Sequence, residues 1–113
     1  MGAKPVEAMF AALGDPIRRQ LVAQLSRDGP LNGSQLARAH RVSRQAIMKH
    51  LGILTDVGLV TRQRHRNEVR YELNTAQLNE AAAWLNAVRA QWDQRLAALH
   101  DHLRRRADSR RQE

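Results

Sequence analysis

Residues 42–58 read Val-Ser-Arg-Gln-Ala-Ile-Met-Lys-His-Leu-Gly-Ile-Leu-Thr-Asp-Val-Gly. Ser43 stands where a helix N-cap would, its hydroxyl able to accept from backbone N–H groups that open the helix, and Gly58 stands just past the far end. Between them Ile47, Leu51 and Leu54 recur at helical spacing, which makes one face apolar. The opposite face then presents Arg44, Gln45, Met48, Lys49 and Gly52. These side chains suit a major groove: Arg reaches guanine O6 and N7, Gln pairs with adenine N6 and N7, Lys serves guanine or phosphate, and Met can lie against a thymine methyl. On another protein the same pattern would be a solvated surface, so the flanking segments decide.

Working backward, Leu31 leads into Asn32 with Gln35 three residues on. That is capping-box spacing for a short helix carrying Leu36, Ala37 and Ala39 inward and ending near His40-Arg41. A turn of about three residues would connect it to Ser43, which is a helix-turn-helix arrangement. Before it, Asp15-Pro16 reads as an N-cap with proline at the first helical position, followed by Ile17, Leu21, Val22 and Leu25 on one face until Asp28-Gly29-Pro30. A first helix carries Ala8, Met9, Ala12 and Leu13, with Gly14 expected as a left-handed cap.

Working forward, 59–65 and 69–73 are β-prone, and Val69, Tyr71 and Leu73 alternate with Arg70 and Glu72. Arg66-Asn67-Glu68 is the expected hairpin tip, although it lacks the glycine that tight turns favour. Asn74 with Gln77 suggests another capping box, opening a helix over about 76–106 that contains no Gly or Pro. Such a helix is about 45 Å long, whereas a domain of this size has a radius of gyration of about 13 Å. Leu78, Leu85, Trp92 and Leu99 fall every seventh residue along it, joined by Ala82, Leu96 and Leu103. A stripe of that length wants a partner. Residues 107–113 are rich in Arg and Asp and read as a disordered basic tail, leaving one domain over 1–106.

Composition narrows the functional classes. The chain has 113 residues, too few for two independent cores. Nineteen Lys and Arg against eleven Asp and Glu give a net charge of +8, which implies a polyanionic partner, nucleic acid before an anionic membrane. Between Arg38 and Arg70 eight Lys or Arg stand against only Asp56 and Glu68, so the charge clusters around the reading helix and hairpin. No cysteine is present, which removes disulfides, thiolate metal sites and thiol redox switches. No apolar run approaches the roughly 20 residues of a membrane span, and a cytoplasmic protein with no membrane partner is expected. There is no Gly-rich phosphate loop, nucleophile elbow or carboxylate pair in an apolar setting, so no enzyme and no cofactor is expected. His100 and His102 project about 200° apart on a helix and cannot share one metal ion.

Helix, helix, short helix, helix, hairpin, long helix is a mainly α winged helix-turn-helix with added N- and C-terminal dimerisation helices. The chain resembles the ArsR/SmtB family of bacterial transcriptional repressors. The resemblance is carried by 12–19 (Ala-Leu-Gly-Asp-Pro-Ile-Arg-Arg), Gln35-Leu36-Ala37, 42–51, 54–60 and Arg70-Tyr71-Glu72-Leu73, in order and at family spacing. It implies a homodimer on double-stranded DNA, with a phosphate contact at Ser43 and a histidine usual in the family at His50. Arsenic-sensing members carry cysteines where this chain reads Leu31-Asn32-Gly33-Ser34-Gln35, and the zinc type uses histidines earlier in its long helix than His100. Both sensing modes are therefore missing, and the sequence names no inducer.

The expected DNA contacts are Ser43, Arg44, Gln45, Met48, Lys49 and His50 on the reading helix, His50 reading equally well as a partly buried residue that braces the helix, with Arg62, Arg64, Arg66 and Arg70 on the wing. His65 adds charge beside them. The expected dimer interface is Met9, Leu78, Leu85, Trp92, Leu96 and Leu99. Trp84 and Trp92 read as helix-packing residues before ligand-pocket residues. Two competing readings are a winged-helix module that binds protein and an architectural protein that binds DNA without sequence preference. The basic reading face speaks against the first, and its base-reading residue types against the second.

Overall fold

The computed structural model describes residues 6–112. The expectations that fall on 1–5 and on Glu113, the start of the expected domain and the end of the expected tail, lie outside the described residues. The elements run α1 (Val6–Ala12), α2 (Pro16–Asp28), β1 (Leu31–Asn32), α3 (Gly33–Arg38), α4 (Arg44–Asp56), β2 (Val60–His65), β3 (Glu68–Leu73) and α5 (Thr75–Gln112). They divide into two compact units, the first ending at Ala81 and the second beginning at Ala82. The first is a winged helix-turn-helix. The second is the remainder of α5. The sequence alone leads one to expect a single domain over 1–106.

Local chemistry accounts for most boundaries. Asp15 caps α2, its carboxylate accepting from the Arg18 N–H at 3.0 Å, and Pro16 opens the helix. Asn32 and Gln35 form a reciprocal capping box on α3. Ser43 caps α4 through the Ala46 N–H at 3.1 Å. At α5 only half of the expected box forms: the Gln77 N–H reaches Asn74 Oδ1 at 3.5 Å, while Gln77 Oε1 is buried without a hydrogen bond.

Five expectations need correction. The left-handed glycines are Gly29 and Gly58, not Gly14, because α1 closes in a tight turn in which the Gly14 N–H donates to Ala11 O. Five residues, not about three, join α3 to α4, since α3 stops at Arg38; Ala39 is exposed. The hairpin is part of a three-stranded antiparallel sheet of order β1-β3-β2, in which Leu31 pairs with Tyr71 and Asn32 with Arg70. The hairpin turn is the two residues Arg66-Asn67, with Glu68 already in β3 opposite His65. Residues 107–112 continue α5 in place of the expected disordered tail, because nothing in them breaks a helix and Arg110 and Arg111 favour its negative end.

The core of the first unit is aliphatic. Leu21, Leu36, Ile47, Leu51, Leu54 and Leu59 are completely buried, each contributing about 1.5–3 kcal/mol through burial. Tyr71 closes the core from the sheet and Ala81 from α5. Met9, expected at a dimer interface, is fully buried in this core, because Met9 and Ala12 form the inward face of α1. Leu78 is half-buried against the same core. The apolar face of α4 is thus held from behind, which leaves its basic face outward.

Candidate nucleic-acid interface

On α4, Arg44, Gln45, Lys49 and Gly52 are all exposed, and Met48 is 37% exposed. The three buried positions Ile47, Leu51 and Leu54 set this orientation. Met48 is divided between two environments: a Cβ added to Gly33 would stand 3.0 Å from the Met48 sulfur, so the thioether lies over the start of α3. Nothing approaches Gly52 within 4 Å of where a Cβ would be. Glycine inside a helix costs about 0.5–1 kcal/mol relative to alanine, and its use on the outermost face fits close approach by another backbone. Gly52→Ala is expected to raise thermal stability by about that amount while weakening DNA binding. Unfolding and binding measured on the same variant check both signs.

His50 stands apart from the other expected contacts of α4. It is partly buried on the side facing α2, where its Nδ1 lies 3.3 Å from Arg18 Nη1 and 3.9 Å from Asp15 Oδ2. Arg18 also donates through Nε to the Ala12 carbonyl. One guanidinium therefore ties the end of α1, the start of α2 and the reading helix together, and His50 braces α4 instead of lining its outer face. The Asp15 cap could be read from sequence. Its meeting with His50, 35 positions away, could not.

The strand register divides the basic residues of the wing. Arg62 stands opposite Tyr71 and Arg64 opposite Val69, while Gln63 stands opposite Arg70. Side chains alternate along a strand, so Arg62 and Arg64 share the face of buried Tyr71, and Arg70 lies on the other. Arg44, Met48, Arg62, Ser34 and Tyr71 accordingly surround one cleft of about 490 Å³. Arg70 instead lines a separate hollow with Pro30, Gln63, His65 and Glu72 and pairs with Glu68 at 2.8 Å. Arg70 thus lies apart from Arg62 and Arg64, on the opposite face of the wing. Arg66, at the tip, holds φ 60°, a left-handed conformation that favours glycine. A long cation stands there at a conformational cost.

Two carboxylates near this surface are held below their usual range. Asp15 is lowered first by the Arg18 N–H, with help from His50, against partial desolvation. Glu68 is lowered by its hydrogen bond from Asn32 and then by Arg70. Because both values are depressed in the folded chain, their stabilisation is present above about pH 4 and is lost as the pH falls through the lower folded values. Thermal midpoints are expected to drop below that pH, and less so in Asp15→Asn and Glu68→Gln.

Among the described residues no three His, Cys, Asp or Glu side chains gather as a metal ion would need. The chain has no cysteine, and His100 and His102 project from different sides of α5. Among the described residues no helix is long and apolar enough to cross a membrane.

Comparison with known proteins places this surface in context. A helix-turn-helix domain family matches residues 13–63, which hold α2, α3, α4 and the start of β2. An ArsR-like transcriptional regulator from Rhodococcus sp. RHA1 superposes with a TM-score of 0.73 at 41% identity, over 83% of this chain and 88% of that one. The transcriptional repressor SdpR of Bacillus subtilis is 29% identical over 77 residues, 68% of this chain and 84% of that one. An HTH-type transcriptional regulator of the same organism, YuzN, is 41% identical over 64 residues, 51% of this chain and 70% of its own.

Proposed function

Since the chain belongs to the ArsR family of winged helix-turn-helix transcriptional regulators, we propose that it is a homodimeric repressor of the bacterial cytoplasm that binds an inverted-repeat operator. Helix α4 enters the major groove, where Arg44, Gln45, Lys49 and Met48 meet base edges or flanking phosphates and Ser43 meets a phosphate at the helix start. Arg62, Arg64 and Arg66 of the wing meet the backbone or the adjacent minor groove. The observation that carries this reading is the cleft in which α4 and the wing present Arg44 and Arg62 together. It is a binding protein, and no catalytic step belongs to it.

The dimer is formed through α5. Leu85, Val88, Trp92, Leu96, Leu99 and Leu103 are 37–55% exposed and fall within about 40° of one line along the helix. An exposed apolar stripe of this length marks an interaction surface, and a two-fold axis would let a second copy cover it. Two-fold symmetry then predicts inverted half-sites with centres one turn of B-DNA apart, about 34 Å, or a multiple of it. Selection of bound sites from random duplexes is expected to return such a repeat. Recovery of no common sequence would overturn sequence-specific recognition in favour of architectural binding.

A further inference from the structure

We propose that the far end of α5 carries a second DNA contact that does not read sequence, a phosphate-binding face made by His102, Arg105, Arg106, Ser109 and Arg110. This rests on the DNA-binding reading above and extends it to a segment that neither the wing nor the reading helix includes. The grounds lie within the helix itself. At about 100° per residue, these five side chains fall within about 140° of arc and surround one shallow cleft. Asp101 and Asp108, the two acids of this stretch among the described residues, fall on the other side with Arg104 and Arg111. The face thus offers three guanidiniums, an imidazole and a hydroxyl, and no carboxylate.

Ordinary helix-end electrostatics does not account for this segregation. Cations near a helix C-terminus are favourable only within about the last turn, and Arg105 and Arg106 precede it. None of the five arginines between 104 and 111 is ion-paired among the described residues, whose ion pairs are His50–Asp15, Arg70–Glu68 and Arg89–Asp93. Arg105 Nε reaches only the Asp101 carbonyl, at 3.4 Å. Unpaired guanidiniums on one arc suit phosphate oxygens, which they bind through two parallel N–H donors. A membrane surface is the weaker occupant: beyond Leu103 the helix has no apolar side chain larger than Ala107, whereas a membrane-surface helix buries an apolar face beside its cations.

The test compares two full-length double variants of equal charge, Arg106→Gln/Arg110→Gln on the proposed face and Arg104→Gln/Arg111→Gln beside Asp101 and Asp108. Glutamine keeps helix propensity close to that of arginine, so circular dichroism is expected to match the parent. Binding to a random-sequence duplex is measured against salt. The Arg106/Arg110 variant is expected to lose at least roughly tenfold in low-salt affinity and about one unit of slope in log affinity against log salt for each phosphate no longer neutralised, two per subunit and so up to about four in the dimer. The Arg104/Arg111 variant should lose far less. Equal losses in the two variants, no loss in either, or loss of binding to phosphatidylserine vesicles with DNA binding intact would each overturn the proposal. Preference for the selected operator over random duplex, followed in the same titrations, should be unchanged in both. Its absence from the parent would overturn the sequence-specific reading, whereas an unchanged slope with that preference intact would overturn only the second contact.

Discussion

Trp92→Asp is expected to convert the protein to a monomer in solution and to reduce operator affinity by roughly 10³-fold or more, toward the level of random DNA. Trp92 is 55% exposed near the middle of the α5 stripe, with Leu85 and Leu103 at its ends at 51% and 53%. A carboxylate there must be desolvated against an apolar partner surface, with Arg89 and Arg95 beside the stripe and not on it, and a two-fold axis brings in its copy as well. A monomer engages only one half-site, so the loss falls on specific binding first. Sedimentation at tens of micromolar protein and operator titration check the two halves separately. A parent that sediments as a monomer would remove the dimer from the proposal.

Base reading and phosphate binding should separate by mutation. Arg44→Ala and Gln45→Ala are each expected to cost about 1–3 kcal/mol per half-site and to relax preference at one or two base positions. In a symmetric dimer the cost counts twice. Arg64→Ala should instead weaken specific and random DNA alike and flatten the salt dependence by about one unit for each phosphate that is no longer neutralised. Arg70→Ala is expected to change the slope less, because Arg70 is already paired with Glu68 and lies on the other face of the wing. Repeating the site selection with each variant distinguishes the two roles. A preferred operator altered by Arg64→Ala and untouched by Arg44→Ala would move the reading surface from α4 to the wing.

Local punctuation and periodicity carried much of this architecture because their causes are local. Asp15-Pro16, Asn32 with Gln35, and Ser43 mark helix starts, since a cap involves residues no more than three apart, and all three caps form. The apolar triad Ile47, Leu51 and Leu54 assigned the outer face of α4 without any tertiary information, because a helix has a single period. The division of the wing was not local in this sense: Arg62, Arg64 and Arg70 separate only through the strand register, which sets Arg62 opposite Tyr71 and Gln63 opposite Arg70.

The succession of elements, the basic face of the reading helix and the apolar stripe of α5 were therefore legible in the order of the amino acids. Each of these depends on neighbours within a turn or two of the same element. Folding supplied everything that joins distant positions. It placed β1 beside β3, where the two residues Leu31 and Asn32 are too short a strand to show a period. It brought His50 against Arg18 and Asp15, which lie more than thirty positions away along the chain. It buried Met9 in the core, although the α1 pattern alone serves equally well for packing inside the unit or against a second copy. An apolar or polar pattern says which side of an element turns from water. Which surface receives that side depends on long-range packing, in which the buried partners are far apart along the chain and no local spacing records them.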